Sequence, residues 1–165
     1  MNTLVIYDSK FGNTERIARQ LAETLGEFGE ARAVRVTEIP ADIPKEINLL
    51  VVGSPTQAWN ATPDLKSFLA HLEGKHLENF MFAEFDTRFD KPRWLTGSAA
   101  GAMRKQLIRL GARTFVPPES FFVKATEGPL ADGELEHAVR WARELHERFE
   151  AERKSSAAFA AAPRV

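Results

Sequence analysis

Residues 48–53, Asn-Leu-Leu-Val-Val-Gly, hold four consecutive apolar side chains with no polar alternation. A half-exposed strand alternates, whereas an unbroken run belongs to a strand covered on both faces, as in a parallel sheet packed between helices. Similar runs stand at Leu4-Val5-Ile6-Tyr7, at Ala33-Val34-Arg35-Val36, from Phe80 to Phe85 and at Thr114-Phe115-Val116. The last resumes at Phe121-Phe122-Val123. Pro117-Pro118 between the two halves predicts a bulge or an edge position, because proline removes a ladder donor.

Helical periodicity fills the gaps. Ile17, Leu21, Leu25 and Phe28 make one stripe, with Arg16, Arg19, Glu23 and Glu27 turned away. Thr62-Pro63, a cap residue before a first-turn proline, opens a helix whose stripe is Leu65, Phe68, Leu69 and Leu72. A third runs from about Ser98 to Leu110 and stops at Gly111. A fourth begins near Asp132 and carries Leu135, Val139, Ala142, Leu145 and Phe149. Thr37 to Ile47, with Pro40 and Pro44, should be at most a short, poor helix. This rhythm predicts one α/β domain over residues 1–150, with right-handed crossovers and helices on both faces. Residues 151–165 are alanine-rich without a stripe and are expected to fray or be disordered.

Bulk properties exclude several chemistries. The 165 residues suffice for one domain that buries roughly two-thirds of its unfolded surface. A formal net charge of −1 argues against a nucleic-acid binder. There is no cysteine, hence no disulfide, thiolate-held cluster or thiol nucleophile. His71, His76, His137 and His146 show no metal-ligand spacing, and no metal or catalytic residue is assigned. Neither a signal-peptide pattern nor a run of ~20 apolar residues is present, which predicts a cytoplasmic protein without a membrane span.

The first strand leads through Asp8-Ser9-Lys10-Phe11-Gly12-Asn13-Thr14 straight into a helix. Ligands of open parallel sheets bind beyond the carboxyl ends of the strands. A helix N-terminus there offers unpaired N–H groups and a positive dipole end, which suit a phosphate. Ser9 and Thr14 add hydroxyls, Asn13 adds an amide, and Gly12 lets the backbone come close. The loop lacks the lysine and spacing of a nucleoside-triphosphate loop and is not Gly-x-Gly-x-x-Gly.

Val5, Ile6, Tyr7, Ser9, Gly12, Thr14, Ala18 and Leu21 fit, without a gap, the first-loop signature of the flavodoxin family, which the chain resembles to about Arg148. The resemblance implies a three-layer sandwich around a five-stranded parallel sheet of order 2-1-3-4-5, in the short-chain form. It implies flavin mononucleotide (FMN) as cofactor, with its phosphate in the first loop. Gly53-Ser54-Pro55-Thr56 matches the family's second loop, which passes one face of the flavin ring. Pro55, Thr56, Gln57, Ala58, Trp59 and Asn60 are therefore cofactor candidates. Trp59 either stacks on the flavin or packs on the neighbouring helix.

The third loop, entered at Phe85-Asp86-Thr87-Arg88-Phe89, would carry the pyrimidine edge, with Phe89 or Trp94 as second stacking aromatic. Lys10 either assists the phosphate or is solvated. Arg88, with Thr87, either neutralises the flavin edge or faces water. Asp86 either caps a turn or joins Asp90 in disfavouring negative charge on the reduced flavin. Three features depart from the usual family pattern. The only tyrosine is Tyr7, the second loop has no glycine after Gly53, and the net charge is near zero. At the second, Asn60 tolerates positive φ.

By resemblance, the function is electron transfer by a monomeric carrier between a reductase and a redox acceptor. The alternative is an FMN-dependent NAD(P)H:quinone oxidoreductase of the same fold, for which Trp94 and Glu127 to Ala131 are the material for a roof. A signalling receiver on the same sheet order is disfavoured, since Gly53 and Ser54 stand where its phosphate-accepting aspartate belongs.

Overall fold

The computed structural model describes residues 1–39, 43–77 and 80–161, without the side chains of 157–161. Pro40 of the predicted poor helix lies outside them. The strands β1 (Thr3–Tyr7), β2 (Ala31–Arg35), β3 (Leu49–Pro55), β4 (Met81–Phe89) and β5 (Arg113–Thr114) form a sheet of order β2-β1-β3-β4-β5. A sixth strand, β6 (Glu119–Val123), also pairs with β4, and every strand pair is parallel. β5 and β6 are the two halves of the predicted fifth strand. The ladder to β4 lapses around Pro117-Pro118, where proline has no N–H to give.

Strand alternation sends consecutive residues to opposite layers. Val5, Leu49, Val51, Ala83 and Phe85 pack with Ile17, Leu21 and Leu25 of α1 (Asn13–Leu25) and Trp141, Leu145 and Phe149 of α5 (Glu134–Ala161). Leu4, Ile6, Leu50, Val52 and Phe82 pack with Leu65 and Leu69 of α2 (Pro63–His71) and Met103 and Leu107 of α4 (Ala99–Arg109). Among its described residues, the β2–β3 connection holds no helix beyond a 3-10 turn, Val36–Glu38.

Two elements differ from expectation. A short helix, α3 (Arg93–Thr96), stands inside the third loop. And α5 stays helical to Ala161 through the stretch expected to fray, with Arg113 of β5 bonded to both Glu152 and Ser156.

Candidate functional site

At the carboxyl ends of β1, β3 and β4, three loops close around a cavity of about 420 Å³. That volume falls within the ~300–1,000 Å³ common for small-molecule sites. The first loop contributes Ser9, Lys10, Phe11, Asn13 and Thr14 to the wall. Gly12 caps α1 at φ +83°, a conformation that favours glycine, and does not itself line the cavity. No side chain caps this helix, and the N–H groups of Asn13, Thr14 and Glu15 find no acceptor among the described residues. Ser9 Oγ is buried with no partner. Thr14 is committed elsewhere, its hydroxyl lying 2.7 Å from that of Thr87. Asn13 Nδ2 donates to the Glu127 carbonyl at 3.1 Å, tying α1 to the segment after β6.

The second loop supplies Pro55, Thr56, Gln57, Ala58 and Trp59. Gln57 and Asn60 exchange two backbone hydrogen bonds of 2.9 Å around a two-residue turn. The turn residues, Ala58 (φ 44°) and Trp59 (φ 66°), both lie in the left-handed region, where a tight hairpin turn of this kind normally places asparagine or glycine. Positive φ thus falls on Ala58 and Trp59 rather than on Asn60, which is outside the wall and accepts from the Ala61 N–H. Trp59 is 60% exposed and its backbone lies against Gly97, where a Cβ would come within 2.3 Å of Trp59 Cα.

The third loop supplies Thr87, Arg88 and Phe89. Phe85 does not reach the cavity. It lies in the core, edge-on to Phe121 and Trp141, over Gly53, where a Cβ would meet its ring at 2.0 Å. Trp94 is 81% exposed on α3 and lies outside the wall, whereas Phe89 lines it. Leu95, Thr96, Val123 and Thr126 also line the cavity and were not among the predicted residues. Two come from the unforeseen α3 and two from the end of β6 and the segment beyond it, which no local motif marks.

Glu84, Asp86 and Arg88 alternate along β4 toward the α4 layer. Asp86 is fully buried and does not line the cavity. Its Oδ2 accepts from Ser98 Oγ (2.6 Å), Ala100 N (3.0 Å) and Thr56 Oγ1 (3.1 Å), stapling the second loop to the start of α4. Arg88 Nε donates to Ser120 Oγ (3.1 Å), and Nη1 donates to the carbonyls of Phe89 (3.1 Å) and Lys91 (2.6 Å). Deeper in the layer, burial raises the Glu84 carboxyl to about 7, and the Arg104 guanidinium at 3.4 Å only partly offsets it.

A larger, mostly apolar cavity of about 1110 Å³ lies between the β2–β3 connection and α2. It contains none of the predicted site residues, and its lining includes Ile39, Ile43, Leu77 and Phe80.

The flavodoxin family model matches residues 5–150. The fold is similar to that of a flavodoxin from the domain Archaea, with a TM-score of 0.75 and 18% identity, covering 91% of this chain and 99% of that one. Oxidised flavodoxin 1 from Bacillus cereus has a TM-score of 0.75 and 20% identity, over 89% of this chain and 98% of that one. Rubredoxin oxygen:oxidoreductase from Desulfovibrio gigas has a TM-score of 0.71 at 18% identity, covering 91% of this chain and 36% of that one. No curated protein sequence matches.

Proposed function

The chain belongs to the flavodoxin family, and from that premise we propose that it carries electrons between a reductase and a redox acceptor. The family's cofactor is FMN, and the chain is an FMN-type electron-transfer flavoprotein. The observation that carries the reading is the first loop: a buried, unpartnered Ser9 hydroxyl beside first-turn amides without acceptors. Buried polar groups are rarely left unsatisfied in a native protein, so these donors call for a ligand rich in acceptor oxygens. A phosphate at a helix N-terminus has that character.

In this reading Ser9 and the amides from Lys10 to Glu15 hold the phosphate, with Lys10 beside it. The Thr14–Thr87 bond fixes the first loop to the third. Thr56, Gln57, Ala58 and Trp59 line the second side, and Thr87, Arg88 and Phe89 the third. Bound FMN supplies the redox chemistry, while the chain binds it, orients it and limits its contact with water. Phe89, rather than Trp94, is the aromatic we assign to the third side. The carrier acts as a cytoplasmic monomer.

The test is direct. Purified protein should hold FMN with a yellow spectrum and should not turn over NADPH with a quinone unless a reductase is added. Turnover of that pair by the protein alone would favour the quinone oxidoreductase alternative. A colourless protein that takes up no added FMN would contradict both.

A further inference from the structure

We infer that Arg88 gives the cofactor cavity a positive wall that favours the anionic reduced form of the flavin bound there. The inference rests on the FMN reading above. Among the described residues, the charged side chains of the wall are Lys10 and Arg88, and no carboxylate lines it. This reverses the expectation that Asp86 or Asp90 would set the cavity's charge.

Lys10 is exposed, so water and salt screen it. Arg88 is only 9% exposed. Its guanidinium is held by Ser120 Oγ, the Phe89 and Lys91 carbonyls and Thr96 Oγ1 (3.3 Å), and its carbon lies 5.2 Å from the Phe122 ring centre. Four acceptors fix its position, so it need not reorganise when charge develops nearby. Its counter-charge is Asp86 Oδ1, 3.8 Å from Nε. Asp86 is absent from the wall and already accepts three bonds from behind. Of the pair, Arg88 is the member that lines the cavity and keeps exposed side-chain surface, whereas Asp86 has none.

Two electrons and one proton, delivered by an external reductant, convert a neutral oxidised flavin ring into a reduced ring with one negative charge. A ligand filling about 420 Å³ lies against these walls. A fixed, poorly screened cation stabilises the product of that reduction over the reactant. The bound flavin is then easier to reduce fully than it would be in a cavity lined by carboxylates.

The experiment measures binding of oxidised FMN and of dithionite-reduced FMN to apoprotein, for the natural chain, Arg88→Gln and Arg88→Lys. The natural chain should bind the reduced form at least as tightly as the oxidised form. Arg88→Gln should weaken the reduced form about tenfold more than the oxidised form, a shift of ~30 mV in the two-electron potential. Arg88→Lys should recover most of that difference. Reduced FMN binding tenfold more weakly than oxidised FMN to the natural chain would overturn the inference, even if Arg88→Gln did not fold. Equal weakening of both forms by both variants would leave Arg88 as a brace of the third loop and also overturn it. Failure of oxidised FMN to bind the natural chain would instead remove the flavin reading, and this inference with it.

Discussion

Ser9 is a hydroxyl desolvated in advance of its partner. Leaving such a group unsatisfied costs ~1–3 kcal/mol, whereas a hydrogen bond to a charged acceptor contributes ~1.5–3 kcal/mol. Ser9→Ala should therefore leave the apoprotein as stable or slightly more stable, while FMN affinity falls roughly 10- to 100-fold. Denaturant titration and flavin fluorescence read the two effects separately, and a parallel loss of both would assign Ser9 to the fold alone. Ala58, at φ 44°, is the opposite case, a residue in a conformation its side chain resists. The left-handed region costs a non-glycine residue ~1–2 kcal/mol, and glycine's greater chain entropy returns ~0.5–1 kcal/mol of any gain. Ala58→Gly should raise the melting temperature by about 2–4 °C per kcal/mol recovered. Unchanged or lowered melting would show the turn to be relaxed as it stands.

Among the elements, α5 passes the limit expected from its apolar stripe. Phe149 is buried against Phe115, and beyond it the helix is tied to β5 by exposed Arg113 contacts to Glu152 and Ser156. Exposed ion pairs contribute ~0–1 kcal/mol. Truncation after Ala151 should thus cost no more than about 1 kcal/mol in urea unfolding, and a larger loss would mean that the terminal turns carry core packing. Strands β1 to β4 were legible because each is built on a short, mostly apolar run with little alternation, and the first-loop positions at the cavity were legible because a strand, a small polar loop and a helix follow in order. The third loop was not. An apolar run covered on both faces does not announce which residue faces which layer, so Phe85 was read into the site, although it fills the space left by Gly53. The role of Asp86 depends on Thr56, Ser98 and Ala100, brought to it by sheet register. Val123 and Thr126 reach the cavity through the pairing of β6 with β4.

At the scale of the whole molecule, Glu84 links stability to pH. It is fully buried, with Oε1 unpartnered, and burial raises its carboxyl from 4.5 to about 7. Between those values the folded chain keeps a proton that the unfolded chain has lost. Stability should therefore fall as pH rises from about 4.5 to about 7 and level off above, by on the order of 3 kcal/mol in total. Glu84→Gln should flatten that slope and be the more stable protein at pH 8. An unchanged slope in the variant would assign the dependence to other groups. None of this touches the cavity, whose central feature is the unpartnered Ser9 hydroxyl beside acceptor-free amides at the head of α1. The measurement that addresses it compares FMN with riboflavin, the same ring without the phosphate, in titrations of apoprotein. Several charge-assisted bonds at ~1.5 kcal/mol or more predict that FMN binds at least about a hundredfold more tightly. Equal affinity for the two, or no affinity for either, would contradict the account.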